Sequence, residues 1–240
     1  MDVIGIIPAR YGSTRFEGKV LADIHGKPMV QWVWEAAKKT KILDEVIVAC
    51  DDKRVEDAVK SFGGKAAFTS KEHSSGTDRI CEIINPLEVK VIVNIQADEP
   101  LVEPVMIENV ARPLLEDPQI NMTTLMKLIE EPQEIDDANV VKVVTDKQGF
   151  ALYFSRSTIP YQRDKSVKTN YYKHIGLYAY TKDFLFVFKN LPESNLERIE
   201  KLEQLRVLEA GFKIKVIETK ISTIGVDTPE DLERVKTRFP

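Results

Sequence analysis

Val3 to Ile7 is a short, almost unbroken apolar run, the pattern of a strand buried on both faces. A long loop from Pro8 to Lys27 follows, and Pro28 then opens a helix over Met29 to Lys38 that ends in lysines suited to its dipole. Glu45 to Cys50 reads as a second strand. Asp51-Asp52 can cap the next helix, whose Val55, Ala58, Val59 and Phe62 share one face until Gly63-Gly64 stops it. Lys65 to Thr69 continues as a strand, Thr77 to Ile84 as a helix, and Val89 to Ile95 as the most continuously hydrophobic strand in the chain. Strands and helices take turns, which predicts an α/β fold: a Rossmann-like, doubly wound, mostly parallel sheet with crossover helices.

From Asn121 the rhythm changes. Val140 to Thr145, a turn at Asp146-Lys147-Gln148-Gly149, and Phe150 to Ser155 form a β-hairpin pattern. Arg163 to Asn170 is a polar loop, and Gly176 to Tyr180 is a further strand. Glu197 to Glu209 reads as one helix with Ile199, Leu202, Leu205, Val207 and Leu208 as its buried stripe and Glu200, Glu203 and Gln204 close together. Thr228-Pro229-Glu230-Asp231 starts the last helix with a threonine cap, a first-position proline and acids in the first turn. No repeat, linker or low-complexity tract divides the chain, so residues 1–240 are expected to form one domain with an antiparallel insertion.

Composition narrows the class. At 240 residues, 43% hydrophobic and 30% charged, the chain can bury a substantial core. Its net charge of −4 supplies no global field for nucleic acid, so any anionic ligand needs local cations. Cys50 and Cys81 lack metal or disulfide spacing and suit a reducing compartment. Every apolar run is too short to span a bilayer. The expectation is a cytoplasmic protein with neither nucleic acid nor membrane as partner.

Local charge gathers first in the loop after the opening strand. In a parallel sheet, ligands sit beyond the carboxyl ends of strands, and Ala9-Arg10-Tyr11-Gly12-Ser13-Thr14-Arg15-Phe16-Glu17-Gly18-Lys19 leaves such an end. Glycines, hydroxyls and the cations Arg10, Arg15 and Lys19 can enclose a polyphosphate; by composition alone the same loop reads equally as solvated surface. Asp98 follows the most hydrophobic strand, and Asp227 precedes the capped last helix. Two such carboxylates can share Mg²⁺ if the fold brings them together; the other readings are a turn residue for Asp98 and a helix cap for Asp227.

The spacing of Ile6-Ile7-Pro8-Ala9-Arg10-Tyr11-Gly12-Ser13-Thr14-Arg15, Gly18-Lys19 and Gly26-Lys27-Pro28-Met29 resembles the opening signature of sugar-activating nucleotidyltransferases. His73-(x)-Ser75-Gly76-Thr77-Asp78-Arg79, Asn94 to Pro100, Tyr153-Phe154-Ser155-Arg156-(x2)-Ile159-Pro160, His174 to Tyr178, Glu203 to Arg206 and Gly225 to Asp231 follow in order. Together they resemble the CMP-Kdo synthetases, or 3-deoxy-manno-octulosonate cytidylyltransferases, over essentially the whole chain. The resemblance departs at Phe16-Glu17, where the family usually has Leu-Pro, and at Ala97, where it commonly has Gly. A required positive φ at Ala97 would cost about 1 kcal/mol.

The resemblance implies that CTP and Kdo (3-deoxy-D-manno-octulosonate) react to CMP-Kdo and pyrophosphate with Mg²⁺, in a homodimer serving lipopolysaccharide or wall-polysaccharide synthesis. It implies that residues 1–120 mainly bind nucleotide, that 121–222 mainly bind sugar and dimerise, and that 223–240 carry the metal aspartate and last helix. Ala9, Arg10, Gly12, Ser13, Arg15 and Lys19 would hold the triphosphate, with Arg10, Lys19, Asp98 and Asp227 catalytic and the two aspartates on the metal. Cytosine needs uncharged donors and acceptors, which Ser74, Ser75 and Gln96 offer, with Arg79 alongside. Between Ala151 and His174, five cations face only Asp164, and of these Arg156 is placed to meet the sugar carboxylate. His174, Tyr178, Glu203 and Gln204 would meet sugar hydroxyls, and His174 is also a candidate base. A CMP-sialic acid synthetase and a non-catalytic nucleotide-binding protein are the competing readings.

Overall fold

A computed structural model describes residues 1–240 apart from Thr14, Ser74 and Pro240. Strand β1 (Val3–Ala9) leads into the cation-bearing loop, which closes in a 3-10 turn at Lys19–Leu21. A small ribbon of β2 (Asp23–Ile24) and β3 (Lys27–Pro28) then delivers the chain to helix α1 (Met29–Lys38). Strand β4 (Glu45–Cys50), helix α2 (Lys53–Ser61), strand β5 (Lys65–Phe68), helix α3 (Gly76–Ile84), strand β6 (Val91–Asn94) and helix α4 (Pro104–Glu116) continue the alternation. The second half holds β7 (Met122–Leu128), a single turn α5 (Gln133–Asp136), the hairpin β8 (Lys142–Thr145) and β9 (Ala151–Ser155), and the long strand β10 (Tyr172–Thr181). Helices α6 (Lys182–Asn190), α7 (Asn195–Glu200) and α8 (Leu205–Glu209), strand β11 (Lys215–Glu218) and helix α9 (Pro229–Lys236) complete it.

Among the described residues nine strands form one sheet, in which the order β11-β7-β10-β6-β1-β4-β5 carries the hairpin β8-β9 beside β10. β1 pairs in parallel with β4 and β6, and β4 with β5. Side-chain alternation divides the core in two. Val46, Val48, Val91 and Val93 face the helices α1, α2 and α4, whereas Ile47, Ala49 and Ile92 face α3, α6 and α8. Both faces being covered is why these strands read as continuous apolar runs. β1 and β4 end side by side at Ala9 and Cys50, β6 ends at Asn94 opposite Ile6, and the loops beyond these ends build the site.

The antiparallel part expected in the second half is integral to the sheet: β10 lies between β6 and β7 and runs antiparallel to both. One expectation is corrected. The helix expected over Glu197 to Glu209 is two helices, because Lys201 adopts φ 54°, ψ 46° and ends α7. That break turns Ile199 outward, 69% exposed, while Leu202 and Leu205 stay buried. Finally, the non-glycine residues with positive φ among those described are His25 and Lys201, so the Ala97 backbone carries no left-handed strain, and its methyl group is buried. The other departure is also accommodated, since Phe16 packs against the cluster of Ile24, Met29 and Val226.

Candidate active site

The loop after β1 turns back on itself because Gly18 donates its N–H to the Tyr11 carbonyl at 2.9 Å. Gly18 has φ 68°, and a Cβ there would sit 2.9 Å from the Tyr11 ring, so glycine is required both for the turn and for the close approach. The folded loop presents Arg10, Ser13 and Lys19 to a cleft of about 220 Å³ whose far wall is Ser75, Gly76, Gln96 and Asp98. Ala9 is fully buried on β1, which leaves it only main-chain groups to offer. Gly12 has open space around it, and Arg15 pairs with Asp227 at 2.9 Å.

Asp98 and Asp227, far apart in sequence, converge because Val226 donates its N–H to the Asp98 carbonyl at 2.9 Å. Lys19 stands between them. Its ammonium donates to Asp98 Oδ2 at 2.7 Å, to Asp227 Oδ1 at 2.9 Å and to the Val226 carbonyl at 2.9 Å. Burial opposes the Lys19 charge, but the two carboxylates outweigh it and raise its pKa. Burial likewise pushes the Asp227 carboxyl up, and Lys19 and Arg15 together hold it below the usual range. Glu99, the residue after Asp98, is half-buried; burial first, then the Asp98 charge, pushes its carboxyl up to about 7. Asp227 also serves the expected structural neighbourhood: Thr228 caps α9 in a capping box with Asp231, which leaves the Asp227 carboxylate outside the cap.

On the opposite wall, Ser75 caps α3, accepting from the Asp78 N–H at 3.1 Å and donating to Asp78 Oδ2 at 3.0 Å. Its hydroxyl is thereby engaged within the protein. Gln96 lines the cleft, and Ser74 lies outside the described residues. Arg79 also lines the cleft, but its guanidinium turns into the protein, to Asp51 Oδ2 at 2.9 Å and to the Thr69 hydroxyl. His73 pairs with Glu82.

The residues expected to meet the sugar gather around β10 and the α7-α8 break. The His174 ring sits edge-on to Phe154 at 5.0 Å and 5.4 Å from Tyr178. Its Nε2 lies 2.9 Å from the Thr124 hydroxyl, whose oxygen is 3.1 and 3.0 Å from the carbonyls of Ile175 and Leu177. The hydroxyl proton goes to a carbonyl, so Nε2 carries the imidazole proton and Nδ1 is the acceptor. Thr77 donates to Glu203 Oε2 at 3.1 Å, and burial raises the Glu203 carboxyl. Gln204 is buried, and its Nε2 has no protein partner among the described residues, as expected of a group waiting for a ligand oxygen. Arg156 is placed differently from the expectation. Its Nε and Nη1 donate to the carbonyls of Glu200 at 2.7 Å and Ala138 at 2.9 Å, and the Glu200 carboxylate accepts from Ser155 Oγ and Arg156 N–H.

Burial lowers the His174 pKa to about 3. The folded protein keeps the ring neutral while the unfolded chain protonates it near its ordinary value of 6.5. Stability contributed this way is complete above about pH 6.5 and is lost as pH falls toward 3, at about 1.4 kcal/mol per pH unit. Thermal melts between pH 6.5 and 4 should therefore show a steeper fall for the wild type than for His174→Gln; parallel curves would contradict the buried neutral ring.

Thr124, Thr77 and Glu200 were not singled out as site residues by the sequence; a threonine within a strand and a glutamate on a helix carry no signal of their own. Residues 4–217 match the cytidylyltransferase family. The chain belongs to that family. The 3-deoxy-manno-octulosonate cytidylyltransferase of Solibacter usitatus is 53% identical over 237 residues, covering 99% of this chain and 94% of that one. Its counterpart in Geotalea uraniireducens is 53% identical over 249 residues, covering 100% and 99%. A solved CMP:2-keto-3-deoxy-manno-octonic acid synthetase complexed with CTP superposes with a TM-score of 0.94 at 45% identity, covering 99% and 98%. At 12% identity and a TM-score of 0.66, the 4-diphosphocytidyl-2C-methyl-D-erythritol synthase of Anaerococcus prevotii shares the fold alone, over 99% and 97%. This cytidylyltransferase thus has a doubly wound scaffold common to distant relatives and a site whose full-length match is to Kdo enzymes.

Proposed function

We propose that this cytidylyltransferase transfers CMP from CTP to the anomeric hydroxyl of Kdo, forming CMP-Kdo and pyrophosphate. The observation that carries the reading is the cleft itself, lined by Arg10, Ser13, Lys19, Gln96 and Asp98, with Asp227 joining Asp98 on the Lys19 ammonium. The names of the relatives favour Kdo over a sialic acid. In this reading the sugar oxygen attacks the α-phosphorus in line; its bond to phosphorus forms as the bond to pyrophosphate breaks. Arg10 and Lys19 neutralise the triphosphate, and Ser13 and loop amides orient it. Gln96 reads the uncharged edge of cytosine, while Gln204, Glu203 and Tyr178 receive sugar hydroxyls.

The donor set fits Mg²⁺. Two carboxylates already converge on one cation, and a hard ion held by one or two carboxylates completes its shell with phosphate and water. No third metal-type side chain joins them among the described residues. Bound to Asp98 and Asp227, Mg²⁺ would withdraw charge from the triphosphate and ease loss of the anomeric proton. His174, with its pKa pushed down to about 3, is too weak a base to hold that proton at neutral pH, and we assign it to orienting the sugar through Nδ1. The same reading carries a cytoplasmic homodimer, to be checked by sedimentation at micromolar concentration. No helix among the described residues is long and apolar enough to cross a membrane.

Pyrophosphate release from CTP, assayed with Kdo and with a sialic acid, tests the function; release with the sialic acid and none with Kdo would overturn it. For the base, Gln96→Ala should reduce the preference for CTP over UTP about tenfold, the value of a neutral hydrogen bond in a closed site. Unchanged discrimination would remove Gln96 from cytosine recognition.

A further inference from the structure

The function above assigns no task to the aspartate pair that follows β4, although Asp51 bonds the phosphate loop and Asp52 holds an arginine that lies over it. Asp51 Oδ1 accepts the Tyr11 N–H at 3.2 Å, and its Oδ2 receives Arg79 Nη2 at 2.9 Å. Arg79 is 3% exposed, and its other terminal nitrogen donates to Thr69, whose hydroxyl donates in turn to the Cys50 carbonyl at 3.1 Å. Asp52 caps α2 and grips Arg54 with both carboxylate oxygens at 2.8 Å, and the Arg54 guanidinium lies 3.5 Å from the Tyr11 ring centre. Tyr11 is thus held by its amide through Asp51, by its carbonyl through Gly18, and by its ring between Arg54 and Gly18.

Tyr11 follows Arg10, and Gly18 precedes Lys19. One residue therefore ties together the two ends of the loop that carry the triphosphate cations, and Asp51 ties that residue to the sheet. We propose that Asp51 and Arg79 are positioning residues: a buried ion pair that fixes the phosphate loop through Tyr11. On this view Arg79 serves CTP through Asp51 and not by contacting the nucleotide. Its donors are committed to Asp51 and Thr69, at the ends of β4 and β5, and a desolvated ion pair with a further hydrogen bond to each partner is a rigid support. Losing it would leave the loop free to sample conformations in which Arg10 and Lys19 no longer face one phosphate chain, a penalty on binding and orientation together.

The inference deepens the proposed function and rests on it for its kinetic arm, but not for its structural arm. In the ligand-free protein, Asp51→Ala should speed amide exchange across residues 10–19 about tenfold or more and leave the 91–95 strand unchanged. With CTP and Kdo, the same variant should raise KM for CTP about tenfold, lower kcat, and leave KM for Kdo within about twofold. Arg79→Ala should do the same, and the double variant should be no worse than the poorer single one, because both act through one contact. Asp51→Asn serves if the alanine variant does not fold. Its amide oxygen can accept from Tyr11 or face Arg79 but not both, so exchange and KM should shift about threefold in the same direction. Loop exchange like the wild type in either variant overturns the proposal, and so does additivity of the two substitutions on KM for CTP, which would put Arg79 on the nucleotide. If the wild type releases no pyrophosphate from CTP and Kdo, the function fails while the exchange measurements still decide the brace.

Discussion

Asp98→Asn is expected to lower turnover about 10³-fold at saturating substrates and to leave the thermal midpoint within about 5 °C of the wild type. The two halves of that expectation come from different contacts. For stability, the substitution takes the charge from one of three acceptors around the Lys19 ammonium but leaves an amide oxygen there, and the Asp227 carboxylate and the Val226 carbonyl remain. The Asp98 side chain is 32% exposed, so little buried charge is stranded. The main-chain link from Val226 to Asp98, which holds the two site loops together, does not involve the side chain. For catalysis, a neutral amide oxygen replaces a charged one at the place where a divalent cation must be shared with substrate phosphate, and preorganised charge there is worth several kcal/mol. Pyrophosphate release measured across a Mg²⁺ series, beside melting curves, checks both. Turnover like the wild type at saturating Mg²⁺ would remove Asp98 from the metal.

How much of this was visible in the sequence depends on whether a feature is written locally. The strands β1, β4 and β6 were legible because burial on both faces leaves unbroken apolar runs, and α9 because its capping box and first-turn proline are adjacent in the chain. The break at Lys201 was not. Apolar spacing continues across it through Leu202 and Leu205, and lysine carries no preference for the left-handed conformation, so the pattern describes one helix. The break is nevertheless what carries Glu203 to Thr77 and buries Gln204. Asp51 was legible only as a helix cap; its partners Tyr11 and Arg79 stand 40 and 28 residues away, and the fold alone shows that Asp52 does the capping. Arg79 and Arg156 illustrate the reverse. The family resemblance placed Arg79, and local charge placed Arg156, near ligands, and the structure shows their guanidinium groups given to protein acceptors. The convergence of Asp98 and Asp227 was available only through the family resemblance, since no spacing rule joins two carboxylates on separate loops.

Lys19→Met is expected to divide activity from metal binding. Turnover should fall about 10³-fold, as for loss of a cation that neutralises a transferring phosphate chain. In the absence of nucleotide, however, the variant should bind Mn²⁺ about tenfold more tightly than the wild type. The reason is that the Lys19 ammonium has all three protons directed at the acceptors a metal would use or lie beside: Asp98 Oδ2, Asp227 Oδ1 and the Val226 carbonyl. A lysine so engaged competes with the metal in the free enzyme and has no proton to spare for phosphate. Arrival of a cation on the aspartates would release the ammonium toward the triphosphate, so metal and nucleotide should favour each other's binding, with Lys19 as the group exchanged. Methionine keeps much of the side-chain volume and removes the charge, which leaves Asp98 facing Asp227 with Arg15 as the remaining neighbouring cation on Asp227. The variant should therefore melt below the wild type without metal and gain more from millimolar Mn²⁺, since stabilisation grows as RT ln(1 + [L]/Kd). Equal metal-induced shifts in the two proteins would show that Lys19 does not occupy the cation position.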